Sequence, residues 1–90
     1  MLEWDNPKAA ANLKKHQVSF AEAKSIFYDE YAVQFFEKEH STDEERFIML
    51  GMSSGAKLLI VCHCEREDGT TVRIISARKA TNRESAFLSR

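Results

Sequence analysis

The sequence predicts an α+β fold, in which two N-terminal helices pack on an antiparallel sheet of four strands and a short helix closes the chain. Helix-capping patterns occur near residues 6, 19 and 81, and apolar segments with the alternation typical of strands fill most of the chain between residues 31 and 79. Short polar turns separate these segments, as in consecutive hairpins. Ninety residues suffice for one hydrophobic core. We therefore expect a single domain spanning residues 1–90.

The first helix is predicted to begin at Asn6 and Pro7. Asn6 suits the N-cap position, and Pro7 suits the first helical position, where a missing N–H costs nothing. An apolar stripe that includes Ala10 and Leu13 indicates the buried side of the helix, which should end near His16.

Two further helices are predicted from capping boxes. Ser19 with Glu22 begins the second helix, which should stop near residue 28 or 29. Thr81 with Glu84 begins the last helix, predicted over residues 81–88.

The remaining segments are predicted to be strands. They span residues 31–36, 45–52, 57–65 and 72–79, with residues 2–4 as a candidate extra edge strand. An acidic loop, residues 37–43, follows the first of the four. Tyr31, Phe35 and Phe36 form a large aromatic group that suits either an exposed edge awaiting another chain or ordinary core packing.

The segment from Val72 to Lys79 is the most informative strand. Strict alternation places Val72, Ile74, Ser76 and Arg78 on one face, and the other four residues on the opposite face. Both faces are apolar in the middle, as expected of an interior strand, and cationic residues occupy the ends. Cations fixed by a rigid strand suit a phosphate site, although polar strand ends are also what contact with water requires.

Composition narrows the class of protein. No apolar run approaches the roughly 20 residues of a membrane span, and the N-terminus lacks the pattern of a signal peptide, so we expect a cytoplasmic protein. Cys62 and Cys64 lie two apart on one strand, too far for an unstrained disulfide. With His63 between them they supply too few ligands for a zinc site, and we predict neither metal nor cofactor.

His63 is a candidate general acid or base. It should point away from the two cysteines, with Glu65 on its own face and Arg66 at the strand end. A half-buried histidine packed on the sheet fits the same spacing.

Several cations fall on or beside adjacent strands and could form a phosphate clamp: Arg46, Arg66, Arg73, Arg78 and Lys79. Pairing with the acidic run of residues 43–45 is the alternative. No glycine-rich phosphate loop or nucleophile–base spacing is present in the sequence, which leaves phosphoryl chemistry without a metal if the protein is an enzyme.

The chain also resembles a known family through residues spread along nearly its whole length. These are Glu3-Trp4-Asp5, Lys8 with Asn12, Lys15-His16, Val18-Ser19-Phe20, Glu45-Arg46-Phe47, Leu50-Gly51, residues 73–80, and Arg83-Glu84. In their order and spacing they resemble the BrnT family of bacterial toxins, the ribonuclease half of a type II toxin–antitoxin pair. Gln17 stands where that family usually has glycine.

The resemblance implies a compact RelE-like fold, with helices on one face of the sheet and RNA on the other. It implies a metal-independent endoribonuclease, in which the 2′-hydroxyl of the RNA attacks the adjacent phosphate and translation is inhibited. On this basis we assign Arg78 as the strongest phosphate contact and Arg46 as the next, with His63, Arg66 or a carboxylate serving the reaction. We further assign RNA-backbone contacts as follows: Lys8, Arg73, Lys79 and Arg83.

The expected partners are a cognate BrnA-like antitoxin and RNA, with operator DNA contacted only through the antitoxin complex and no membrane involved. A catalytically inactive relative that serves as an antitoxin-binding and co-repressor module is the alternative. A partner-binding domain unrelated to RNA is a third.

Overall fold

The computed structural model describes residues 1–38, 44–65 and 69–88. The elements are β1 (Leu2–Trp4), α1 (Asn6–His16), α2 (Phe20–Ser25) with a 3₁₀ turn (Ile26–Tyr28), β2 (Val33–Phe36), β3 (Glu45–Met52), β4 (Leu58–Glu65), β5 (Val72–Lys79) and α3 (Asn82–Ser85). The strands form one sheet in the order β1-β5-β4-β3-β2. β2 to β5 are antiparallel neighbours, and β1 adds a fifth, parallel edge strand beside β5. The predicted α+β class and the extra edge strand are confirmed.

The ends of α1 differ from the prediction at one cap. Asp5, rather than Asn6, is the N-cap, and its carboxylate accepts the Lys8 backbone N–H at 3.1 Å. An aspartate one residue earlier satisfies an otherwise unpaired amide and adds negative charge at the positive end of the helix dipole. The helix ends at His16, and its C-cap residue Gln17 adopts a left-handed conformation with φ 58°.

The buried side of α1 is centred on a polar residue. Leu13 is 50% exposed and Ala10 is also exposed, so these two members of the predicted apolar stripe lie at the surface, whereas Ala9 packs against the core and Asn12 is buried. The Asn12 amide nitrogen donates to the carbonyls of Ala77 at 2.8 Å and Val18 at 2.9 Å, and its oxygen accepts the Ala77 N–H at 3.1 Å. Asn12 thus pairs with β5 beyond the point where β1 ends, much as another strand would.

The start of α2 carries half of the predicted capping box. Ser19 accepts the Glu22 N–H at 3.0 Å, but the Glu22 carboxylate accepts from the Ser53 hydroxyl at 2.6 Å and lies 3.6 Å from Lys57 Nζ. Glu22 therefore joins α2 to the turn between β3 and β4. The capping box of Thr81 and Glu84 is complete, although α3 is shorter than the predicted residues 81–88.

The hydrophobic core lies between the sheet and the first two helices. Its fully buried side chains are Val18, Phe20, Ala23, Ile26, Leu59, Val61, Ile74 and Ala77. None of the helices formed by the described residues is long and apolar enough to cross a membrane.

The pairing of β4 with β5 contains a β-bulge. Cys62 lies opposite Ser76 and His63 opposite Ile74, which leaves Ile75 as an extra residue in β5. Ile74 and Ala77 are consequently both buried under the helices. The strict alternation predicted for this strand is wrong beyond Ile74, because the bulge shifts every later residue to the other face.

We call the face of the sheet away from α1 and α2 the open face. It carries alternate residues of the three long strands: Arg46, Ile48 and Leu50 of β3, Ile60, Cys62 and Cys64 of β4, and Arg73, Ser76 and Arg78 of β5. α3 borders this face, since the Phe87 ring that follows it contacts Phe35 edge-on with centroids 5.6 Å apart.

Candidate functional site

Arg78 lies on the open face and is bound by a carboxylate of its own chain. Its two terminal nitrogens donate to the two Glu84 oxygens at 2.8 and 2.7 Å. The pairing holds the pKa of Glu84 at about 2, and the Thr81 backbone N–H, which donates to the same carboxylate, reinforces the shift. The hydrogen bond to Glu84 likewise raises the pKa of Arg78. A short connection and the capping box of α3 bring the two residues together.

Arg46 and Arg73 occupy the other end of the open face. Both lie opposite Cys64 in register, one on each neighbouring strand. Arg73 donates to Glu44, and Arg46 Nε lies 4.0 Å from Glu37. Within the described part of the chain, each of the three open-face arginines thus pairs with a different carboxylate.

These arginines do not converge on one point. Arg46 lies opposite Cys64, and Arg78 lies opposite Ile60, four residues away along β4. At the usual rise of a strand, that separation is about 13 Å. Among the described residues, the open face therefore presents Arg78 near α3 and Arg46 with Arg73 at the opposite end, and these three arginines do not form a single clamp.

His63 lies on the wrong face to contact a ligand there. It points away from the cysteines as predicted, but that direction leads into the core, where its relative exposure is 0%. Its ring stacks on Phe47, with centroids 5.5 Å apart, and meets Phe27 edge-on at 5.1 Å. Burial lowers the pKa of His63, partly offset by Glu65, whose carboxylate lies 3.5 Å away. The assignment of His63 as an acid or base for a substrate on the open face is wrong.

The other predicted residues are dispersed. Lys8 is exposed on α1, Lys79 is exposed at the end of β5 opposite Leu59, and Arg83 is exposed on α3. Arg66 lies outside the described residues.

The cysteines are free thiols on the open face. Burial raises the pKa of the Cys62 thiol, an effect that the nearby Arg46 partly offsets. Within residues 1–38, 44–65 and 69–88, no three histidine, cysteine or acidic side chains group as metal ligands.

An apolar groove of about 240 Å³ adjoins the pair of Arg78 and Glu84. Its floor is formed by Ile48, Leu50 and Ile60, and its walls by Phe35 and Phe87. Phe35 is 39% exposed and Phe36 52%, at the edge strand β2. These aromatics are therefore surface groups, and the core-packing alternative does not apply to them.

Of the carboxylates that hold the arginines, Glu44 belongs to the acidic run that the sequence offers as a partner, whereas sequence reasoning misses Glu84 and Glu37. The sequence identifies Glu84 only as a capping residue. Because the capping box begins at Thr81, three residues after Arg78, the Glu84 carboxylate points back toward the end of β5. For Glu37 the cross-strand hydrogen bond from its N–H to the Arg46 carbonyl, at 2.8 Å, sets the pairing. Local spacing carries no signal of that contact.

Comparisons with known proteins agree with the architecture. The sequence matches the family model of the ribonuclease toxin BrnT of type II toxin–antitoxin systems over residues 4–84. The crystal structure of the Brucella abortus ribonuclease toxin BrnT is similar to this fold, with a TM-score of 0.68 and 24% identity, over 91% of this chain and 100% of that one. A search of curated proteins gives no match. The match to the family model extends over most of the sequence, and the chain therefore belongs to the BrnT family of ribonuclease toxins of type II toxin–antitoxin systems.

Proposed function

We propose that this protein is a metal-independent endoribonuclease that cleaves RNA on its open face, inhibits translation in the cytoplasm and is neutralised by a cognate BrnA-like antitoxin. Membership of the BrnT family supports the toxin role and the antitoxin partner. The observation that carries the proposal is the forked pairing of Arg78 with Glu84 on a rigid strand. A guanidinium that binds two carboxylate oxygens side by side binds two phosphate oxygens in the same way.

In this reaction the 2′-hydroxyl oxygen of the RNA attacks the adjacent phosphorus atom. The bond from phosphorus to the 5′-oxygen of the next nucleotide breaks, leaving a 2′,3′-cyclic phosphate and a 5′-hydroxyl. Arg78 stabilises the negative charge that develops on the phosphoryl oxygens. The protein has then only to position the RNA and to move one proton from the attacking to the leaving oxygen.

Glu84 is the group that we assign to accept the proton. Its pKa of about 2 makes it a very weak base while it is bound to Arg78, and Arg78 is the largest cause of that low pKa. A phosphate that displaces Glu84 from Arg78 removes this cause and leaves a stronger base beside the bound phosphate. Arg46 and Arg73, about 13 Å further along the face, hold the RNA backbone beyond it.

The second candidate is an antitoxin-binding and co-repressor module without catalysis. The ion pairs of the open face favour this second candidate, because each described arginine there is already paired with a carboxylate. Under this alternative the ion pairs only maintain the fold, and the aromatic edge at Phe35 and Phe36 binds the partner.

The deciding experiment is induced expression of the wild type and of Arg78→Ala, with growth and new RNA 5′-ends measured together. Ribonuclease function predicts growth arrest with new ends, both lost in the variant. Arg78→Lys is the matched control, which keeps the charge but not the fork and should retain part of the activity. Cleavage by purified protein should persist in EDTA and leave cyclic phosphate ends. A folded wild type that cleaves no RNA but binds the antitoxin would support the module instead.

A further inference from the structure

A second cationic region lies between α1 and β5. It is a groove of about 230 Å³ lined by Lys8, Asn12, Lys15 and His16 of α1 and by Ser76 of β5. We call it the α1–β5 groove.

The groove is built on a fixed part of the fold. Lys8, Asn12 and Lys15 are four and then three residues apart, so they lie along one side of the helix. Asn12 anchors that side to β5 through its buried hydrogen bonds with the Ala77 backbone. The two lysines therefore flank the point at which the helix is held to the strand.

The charge in the groove differs from that of the open face. Among the described residues, no carboxylate lies within 4.0 Å of the side-chain nitrogens of Lys8, Lys15 or His16. Arg46, Arg73 and Arg78 are all paired with carboxylates. An anion that enters the groove can bind the lysines directly, because no carboxylate of the described residues has to be displaced first.

Ser76 connects the groove with the open face. It lines the groove, and it also lies opposite Cys62 on the open face, two residues before Arg78. Two residues of a strand span about 7 Å, so a chain bound at Arg78 reaches the groove by passing over one edge of β5.

We propose that the α1–β5 groove binds backbone phosphates of the same single-stranded RNA whose scissile phosphate is held at Arg78. This inference rests on the proposed function and adds to it a second binding site, with Lys8 and Lys15 as the phosphate contacts. The groove supplies attraction that is independent of sequence, since it offers ammonium groups rather than partners for base edges.

The test measures RNA binding separately from cleavage. The probe is a single-stranded RNA oligonucleotide methylated on every 2′-oxygen, which cannot be cleaved by 2′-hydroxyl attack. Binding is followed by fluorescence anisotropy over a range of KCl concentrations for the full chain, for a double variant with Lys8→Ala and Lys15→Ala, and for a control double variant with Lys14→Ala and Lys24→Ala. The control removes the same charge from exposed lysines that do not line the groove.

The groove variant should lose two phosphate contacts and the control none. For a single strand each contact contributes about 0.7 to the slope of log K against log salt, so the slope should become shallower by about 1.4 in the groove variant alone. Equal slopes for wild type and groove variant, or equal changes in both double variants, would overturn the inference. Weaker antitoxin binding by the groove variant with an unchanged RNA slope would also overturn it and assign the groove to an acidic protein partner. A folded wild type with no affinity for the probe would instead count against the proposed function itself.

Discussion

The guanidinium of Arg78 and the carboxylate of Glu84 meet through two side-by-side hydrogen bonds of 2.7 and 2.8 Å at the border between β5 and α3. The arginine best placed to hold a phosphate is therefore occupied by an anion of the same chain. A phosphate that binds Arg78 must displace Glu84, so the phosphate and the Glu84 carboxylate compete for the same guanidinium.

Glu84→Gln should separate binding from cleavage. The amide oxygen can still accept from the Thr81 N–H and keep the cap, but the charge that competes with phosphate is gone. We expect RNA affinity to rise several-fold, whereas cleavage falls by roughly 10²-fold or more because the base is removed. Anisotropy with uncleavable RNA and initial rates with cleavable RNA measure the two effects. Faster cleavage by Glu84→Gln would show that Glu84 only competes for Arg78 and is not the base.

Asn12→Ala should destabilise the fold by about 3 kcal/mol, because it leaves buried carbonyl and N–H groups of Val18 and Ala77 without partners. Urea unfolding monitored by circular dichroism measures the loss. Asn6→Ala, at an exposed position of the same helix, is the control and should change stability by less than about 0.5 kcal/mol. A loss below about 1 kcal/mol for Asn12→Ala would mean that water replaces the amide.

Burial of His63 predicts a loss of stability in acid. Because burial lowers the pKa of His63 in the folded protein, the unfolded chain binds the proton more readily. The contribution of neutral His63 to stability is complete above the usual histidine pKa of 6.5. It is lost as the pH falls from 6.5 through the lower pKa that His63 has in the folded protein. His63→Phe, which keeps a ring between Phe27 and Phe47, should flatten the dependence of melting temperature on pH between about pH 8 and pH 5. Parallel curves for the variant and the wild type would contradict this origin.

Gln17→Gly should stabilise the protein by about 0.5–1 kcal/mol. Gln17 adopts a left-handed conformation at the end of α1, which glycine adopts without the steric cost of a Cβ atom. The hydrogen bond from its side chain to the Lys14 carbonyl is exposed and adds little. Thermal unfolding measures the gain. Gln34→Gly, the same change in the extended strand β2, should instead lower stability.

The sequence predicts β3 and β5 to the residue, because long runs of β-branched and apolar side chains between turn residues strongly favour strands. The prediction fails at Ile75 because nothing in a run of apolar residues shows that one of them lacks a partner on the next strand. That failure reverses the expected orientation of the second half of β5.

The cations of the candidate site are predictable from the sequence, but of their carboxylate partners only Glu44 is. Arg46, Arg73 and Arg78 lie on one face, yet the carboxylates that hold them come from a loop, from the end of an edge strand and from the last helix. The assignment of His63 fails for a related reason. Alternation shows that a residue points away from its neighbours, but it does not show which face the helices cover.

The β-bulge at Ile75 also decides which cations share a face. Arg73 and Arg78 are five positions apart, an odd number, so an unbroken strand would turn them to opposite sides. With the extra residue, both guanidinium groups lie on the open face. Deleting Ile75 would place Arg73 and Arg78 an even number of residues apart in a regular strand, so both would stay on the open face. Inserting one residue between Ala77 and Arg78 would instead direct Arg78 toward the hydrophobic core. The strand should therefore tolerate a shortening at the bulge far better than a lengthening beyond it.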